Sequence, residues 1–205
     1  MKNVFRIVVL LMCTFFCLKT WAQVKTITPG EPAPFIKLKN IDDRVVSFDD
    51  YPSANGFILV FICNTCPYSK AYEQRIMELD KKYSPQHFPV IAVNPADATL
   101  SPDDSFIKMK QRAKSRHYTF PYLYDVGQGI TDLYGVKSTP HVFVISKTAG
   151  KYTVEYTGAI DNDIQNKNPD KINYAQDAVS ALLNKRKPVV TVTRAIGCGI
   201  SRKKN

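Results

Sequence analysis

The 205 residues, 44% of them hydrophobic, are enough for one domain with a substantial core. The net charge of +10 sits at the ends: Lys2, Arg6 and Lys19 near the start, seven basic residues and no acid from Lys185 onward, and a neutral body between. The basic tail has no interleaved aromatic residues of the kind strand-binding grooves require, so it reads as a solvated extension and nucleic acid is not an expected partner.

Met1–Ala22 reads as a secretory signal peptide, with a basic start, an apolar stretch Ile7–Leu18, and Thr20-Trp21-Ala22 before a cut. Twelve apolar residues are short for a bilayer span, so no stable membrane insertion is expected after cleavage. Export, to the periplasm of a bacterium, is the expected localisation. The organisation is then signal 1–22, a domain over 23–187 and a basic tail over 188–205. Cleavage removes Cys13 and Cys17 and leaves Cys63, Cys66 and Cys198, too few for a disulfide-stapled scaffold.

After a polar, proline-bearing lead-in, Phe35–Leu38 and Val45–Phe48 are short strand candidates. Phe57–Ile62 (FILVFI) is an unbroken apolar run, the signature of a buried central strand. Pro67–Tyr83 places Tyr68, Tyr72, Ile76, Leu79 and Tyr83 on one helical face, and Phe88–Val93 is a second buried strand. Ser101, Pro102 and Asp104 mark a helix start whose helix runs to about Arg116. A strand at Tyr122–Tyr124, a helical turn at Ile130–Tyr134 and a hairpin of His141–Ile145 with Tyr152–Tyr156 follow. A last helix opens at Asn168-Pro169 and runs to about Lys185, with Ile172, Ala175, Val179, Leu182 and Leu183 inward. Strands alternating with helices predict an α/β fold, a mixed central β-sheet with helices on both faces.

Cys63 and Cys66 form a C-x-x-C at the junction of the central strand and the first helix. Such a pair can close and reopen a small disulfide ring. The helix start favours the Cys63 thiolate, and Cys66 is close enough to displace a partner from a mixed disulfide on Cys63. A bridge over so small a loop stabilises little. Zinc would need further ligands at matching spacing, whereas His87, His117 and His141 are isolated, so neither a metal nor a bound cofactor is expected. Glu73 reads as an ordinary solvated glutamate.

Strand, C-x-x-C, helix and then Ser138-Thr139-Pro140 before another strand resemble the thioredoxin superfamily. The resemblance implies Cys63 as exposed nucleophile, Cys66 as resolving thiol, and Pro140 as a cis-proline after Thr139 that shapes the substrate groove. Its partners would be protein thiols and disulfides, including a redox partner the sequence does not name. Gly30-Glu31-Pro32-Ala33-Pro34-Phe35 with Leu38 is similar to the opening of the redoxin, AhpC/TSA-related branch. Phe61–Tyr68 (FICNTCPY) resembles a bacterial thioredoxin-like group bearing C-N-x-C-P-Y, and the likeness extends to Gly197-Cys198-Gly199.

The departures are specific. Val60, Phe61 and Ile62 stand where a peroxiredoxin has a peroxide-binding threonine and proline, and Phe57–Ile62 lacks the buried carboxylate of thioredoxins. The expected activity is thiol–disulfide oxidoreduction, with a redoxin-type thiol peroxidase and a copper-binding assembly factor as alternatives. Cys198, about twelve residues past the last helix, is an accessory candidate. It can resolve a disulfide on Cys63, pair with another molecule, or lie buried under a tail strand. His141, next to Pro140, is the accessory candidate for copper, though a histidine heading a strand is more often structural.

Overall fold

The computed structural model describes residues 25–202, so the stretch 1–22 read as a signal peptide, with Cys13 and Cys17, lies outside the described residues. Nine strands and four α-helices are described: β1 (Lys37–Asn40), β2 (Val45–Ser47), β3 (Gly56–Phe61), α1 (Pro67–Tyr83), β4 (Val90–Asn94), α2 (Phe106–Arg116), β5 (Tyr122–Tyr124), α3 (Gly129–Leu133), β6 (Ser138–Thr139), β7 (His141–Thr148), β8 (Lys151–Gly158), α4 (Tyr174–Leu183) and β9 (Cys198–Gly199).

Seven strands make one mixed sheet in the order β2-β1-β5-β4-β3-β7-β8. β3 is parallel to β4 and antiparallel to β7, so it is flanked on both sides, and all six of its residues are buried. That is the setting its unbroken apolar run requires. Its side chains alternate between two cores. Ile58 and Val60, with Ile62 just past the strand, pack with residues of α1, α2 and α4, while Phe57, Leu59 and Phe61 pack with Phe48, Phe143 and Tyr134 on the other face, the face of α3. Gly56 permits the tight entry into β3, because a Cβ there would collide with the Ile145 carbonyl oxygen and the Phe88 ring.

α1 begins at Pro67, which gives up no intrahelical hydrogen bond at the first position, and ends with Lys81 and Lys82 in its last turn. Tyr72, Ile76, Leu79 and Tyr83 are buried as their spacing predicts. Glu73 is buried too, contrary to the solvated reading. Arg112 Nη2 at 2.8 Å, Arg116 Nε at 2.5 Å and the Tyr118 hydroxyl at 2.5 Å all converge on its carboxylate. This cluster ties α1 to α2, and nothing in the local sequence announces it.

Two helices start later than their sequence signals. Pro102–Asp104 is a separate 3-10 turn, and Ser105 is extended before α2 begins at Phe106. The Asp104 side chain is drawn away to hold backbone N–H groups of another loop. The last helix starts at Tyr174 rather than Asn168. Asp163 accepts the N–H groups of Gln165, Lys167 and Asn168, and Asn162 pairs with Ile172 through both backbone and side chain. Those local bonds hold a loop instead of a helical turn and leave Ile172 exposed.

Arg75 on α1 anchors that loop. It donates to Asp161 Oδ2 at 2.6 Å and to the carbonyls of Asp163 and Ile164, with both members of the ion pair buried. Arg75→Met leaves the buried Asp161 carboxylate with Lys171, the Tyr72 hydroxyl and the Asp163 N–H but without its guanidinium partner. Its expected cost is about 3 kcal/mol, read as a lower denaturant midpoint at unchanged m. A cost under about 0.5 kcal/mol would show that the pair is dispensable.

Candidate functional site

The C-x-x-C turn lies between the end of β3 and the start of α1, with Cys66 as the residue that caps the helix. Asn64 and Thr65 are bound firmly. The buried Asp104 carboxylate accepts the Asn64 N–H, the Thr65 N–H at 3.3 Å, the Thr65 hydroxyl at 2.6 Å and the Ser101 hydroxyl at 2.6 Å. The Asn64 side chain accepts the Tyr122 hydroxyl at 3.1 Å and donates to the Asp103 carbonyl at 3.0 Å. The carboxylate absent from β3 is thus supplied to the turn from the loop before α2. Its only sequence trace is the Ser101-Pro102-Asp103-Asp104 string, which also reads as a helix start.

The Thr139–Pro140 peptide is cis. It brings Thr139 against both cysteines: the Thr139 hydroxyl lies 3.2 Å from Cys63 Sγ, and its carbonyl oxygen 3.1 Å from Cys66 Sγ. Cys63, Cys66, Thr139 and Pro140 therefore converge, as the sequence pattern implies.

The disulfide differs from the expected one. Cys66, fully buried, is bonded to Cys198 with Cα atoms 5.9 Å apart, and Cys63 is a free, half-buried thiol. In this state Cys66 has no proton to give the Thr139 carbonyl; that contact becomes a hydrogen bond only in the reduced form. Cys198 reaches Cys66 because the tail folds back along the domain. Thr193 donates its N–H to the Thr157 carbonyl at 3.0 Å, and β9 pairs antiparallel with β6, Cys198 opposite Thr139. Beyond it, Gln128 donates to the Ser201 carbonyl at 2.9 Å, and Arg202 pairs with Asp132 at 2.5 Å. The described part of the tail is thus docked at these points, while Val189, Arg194 and Ile196 stay exposed.

Cys63 opens into a cavity of about 90 Å³ whose wall includes Thr65, Pro95, Asp104, Thr139 and Cys198 through Ser201. Burial pushes its thiol above the ordinary cysteine range. The Thr139 hydrogen bond opposes that shift, and the nearby Asp104 charge reinforces it. The activation expected from the helix start, which acts through the Cys66 N–H, is outweighed by burial in this state. Alkylation of Cys63 in the oxidised protein should therefore climb about tenfold per pH unit from pH 6 to 8 without levelling off. A plateau below pH 7, read with iodoacetamide and mass spectrometry, would contradict the burial effect.

His141 lies apart from this cavity. It is buried, its Nε2 is 2.9 Å from the Thr157 hydroxyl, its ring stacks on Phe143, and Nδ1 has no partner. It borders a different hollow, with Thr26, Thr157 and Thr193. Among the described residues no group of three or more His, Cys, Asp or Glu side chains is arranged to hold a metal ion, and no helix is long and apolar enough to cross a membrane.

A mixed sheet with a C-x-x-C at the end of a central strand, facing a cis-proline, is a thioredoxin-like fold. The AhpC/TSA family model matches residues 29–152, and the chain belongs to that family. An uncharacterised conserved protein from Geobacillus kaustophilus is 30% identical, with a TM-score of 0.78 over 86% of this chain and 93% of that one. A protein named as a thiol:disulfide interchange protein DsbE, from Chlorobium tepidum, is 25% identical, with a TM-score of 0.51 over 62% of this chain and 84% of that one. Peroxidoxin BcpB from Mycobacterium tuberculosis, 15% identical with a TM-score of 0.59 over 78% of this chain and 97% of that one, resembles it in fold alone. A search of curated proteins finds no match. Family and fold make this a redox protein of thiol chemistry.

Proposed function

We propose that the protein is an exported thiol–disulfide oxidoreductase that exchanges disulfides with protein partners through Cys63 and Cys66. The observation that carries the reading is the meeting of both cysteines on Thr139, beside a cis-proline, with Cys63 the accessible one. In the reducing direction the Cys63 thiolate attacks one sulfur of a partner disulfide, and the other partner sulfur leaves as a thiolate and takes up a proton. Cys66 then attacks the Cys63 sulfur, the second partner thiolate departs, and the Cys63–Cys66 disulfide remains for an external thiol reductant to reopen. The opposite direction uses the same steps in reverse, and the pair's potential decides which one prevails.

Thr139 hydrogen-bonds the attacking sulfur, and Asp104 holds the turn that sets the spacing between the two cysteines. Export rests on the reading of residues 1–22. The apolar residues before Cys63 weigh against peroxide turnover by the peroxiredoxin route. The test is reduction of insulin disulfides by dithiothreitol with the full chain as catalyst. Acceleration supports the proposal; a rate equal to the uncatalysed one, together with peroxide consumption, would replace it by the peroxidase reading.

A further inference from the structure

Residues Gly197–Ile200 occupy the backbone edge beside the nucleophile. β9 takes up the free edge of β6, the two-residue strand that carries Thr139, and its cysteine is bonded to Cys66. The Ile200 N–H extends the pairing to the Lys137 carbonyl at 3.1 Å. Gly197 is fitted for this docking, because a Cβ there would run into the Thr139 carbonyl oxygen and the Pro140 nitrogen. The tail thus sits as an extended peptide with a cysteine would sit if it were bound covalently to this site.

The geometry points to Cys198 as a third exchanging thiol and to the tail as a latch that the disulfide itself opens. This rests on the function proposed above. Cys63 thiolate attacks Cys66 Sγ, the Cys66–Cys198 bond breaks, and Cys198 leaves as a thiolate and is protonated. The Cys63–Cys66 disulfide forms with no net oxidation and no outside reductant. While latched, Cys63 stands outside the disulfide and the β6 edge is filled. After exchange the tail is held only by non-covalent contacts, and the edge can accept an extended cysteine-bearing segment of a partner polypeptide. Burial of the Cys63 thiol slows the exchange at neutral pH and so keeps the latch closed until the pH or an encounter favours the thiolate.

The full-length chain, equilibrated with glutathione at pH 8, acid-quenched, alkylated and mapped by mass spectrometry, reports both isomers. Wild type should show Cys66–Cys198 and Cys63–Cys66 together, and Cys63→Ser should hold Cys66–Cys198 alone. Gly197→Ala, which alters no thiol, should lower the ratio of Cys66–Cys198 to Cys63–Cys66 by roughly tenfold or more, as the loss of two or so edge hydrogen bonds would. Amide exchange over residues 198–201 should be faster in Gly197→Ala than in wild type. The latch is overturned if Cys198 stays fully alkylatable in wild type, or if Gly197→Ala leaves the isomer ratio unchanged. Insulin reduction separates the two ideas: turnover without any Cys198 pairing sinks the latch alone, whereas isomer exchange without turnover sinks the oxidoreductase reading.

Discussion

Cys63→Ser is expected to lower disulfide turnover by at least about a thousandfold, the scale on which loss of a covalent nucleophile acts. Cys66→Ser should fail differently. Cys63 still attacks, but once Cys198, which borders the same cavity, is also replaced by Ser, no neighbouring thiol releases the product, and the protein accumulates as a mixed disulfide with its partner. Non-reducing gels read the difference directly, with a partner-sized adduct for the Cys66→Ser, Cys198→Ser double variant and none for Cys63→Ser. The structure supplies the asymmetry, since Cys63 borders the cavity whereas Cys66 is buried behind it under Thr139 and the tail. Adducts through Cys66 in the Cys63→Ser protein would invert the assignment.

Acid should destabilise the fold through His141. In the unfolded chain this imidazole takes up its proton near 6.5, but in the folded protein burial lowers its pKa to about 4. The unfolded state therefore binds the proton first as pH falls. The contribution to stability is whole above about pH 6.5, erodes between 6.5 and 4, and is lost below. At pH 4.5 the loss is about 2–3 kcal/mol relative to pH 7, a large share of a domain's stability. Nδ1 has no partner to receive that proton, and Nε2 is committed to the Thr157 hydroxyl. Denaturant midpoints between pH 7 and 4.5 should fall less steeply in His141→Gln than in wild type, which isolates this group from the carboxylates. Equal slopes would assign the acid sensitivity elsewhere.

Much of the fold is legible in local patterning. β3 announces itself because a strand flanked on both sides and covered on both faces needs apolar side chains throughout. α1 does so because its buried residues recur at three and four. What stays hidden depends on partners far along the chain. Glu73 looks solvated until Arg112, Arg116 and Tyr118 come to it from α2 and the loop that follows. Asp104 looks like a helix cap until it is found holding Asn64 and Thr65, some forty residues earlier. Cys66 and Cys198 lie 132 residues apart, and no spacing rule links them. The sequence does single out Gly197-Cys198-Gly199, and Gly197 proves to be the position where a side chain has no room.

The most direct test is to equilibrate the full-length protein against graded glutathione and dithiothreitol buffers and map the partner of each cysteine at every poise. Thiol–disulfide exchange at this site requires that a measurable fraction of Cys63 enter a disulfide with Cys66 and leave it again at a potential between about −270 and −120 mV, the span from reductants to oxidants of this fold. If Cys63 alkylates as a free thiol at every poise, the proposed chemistry is wrong.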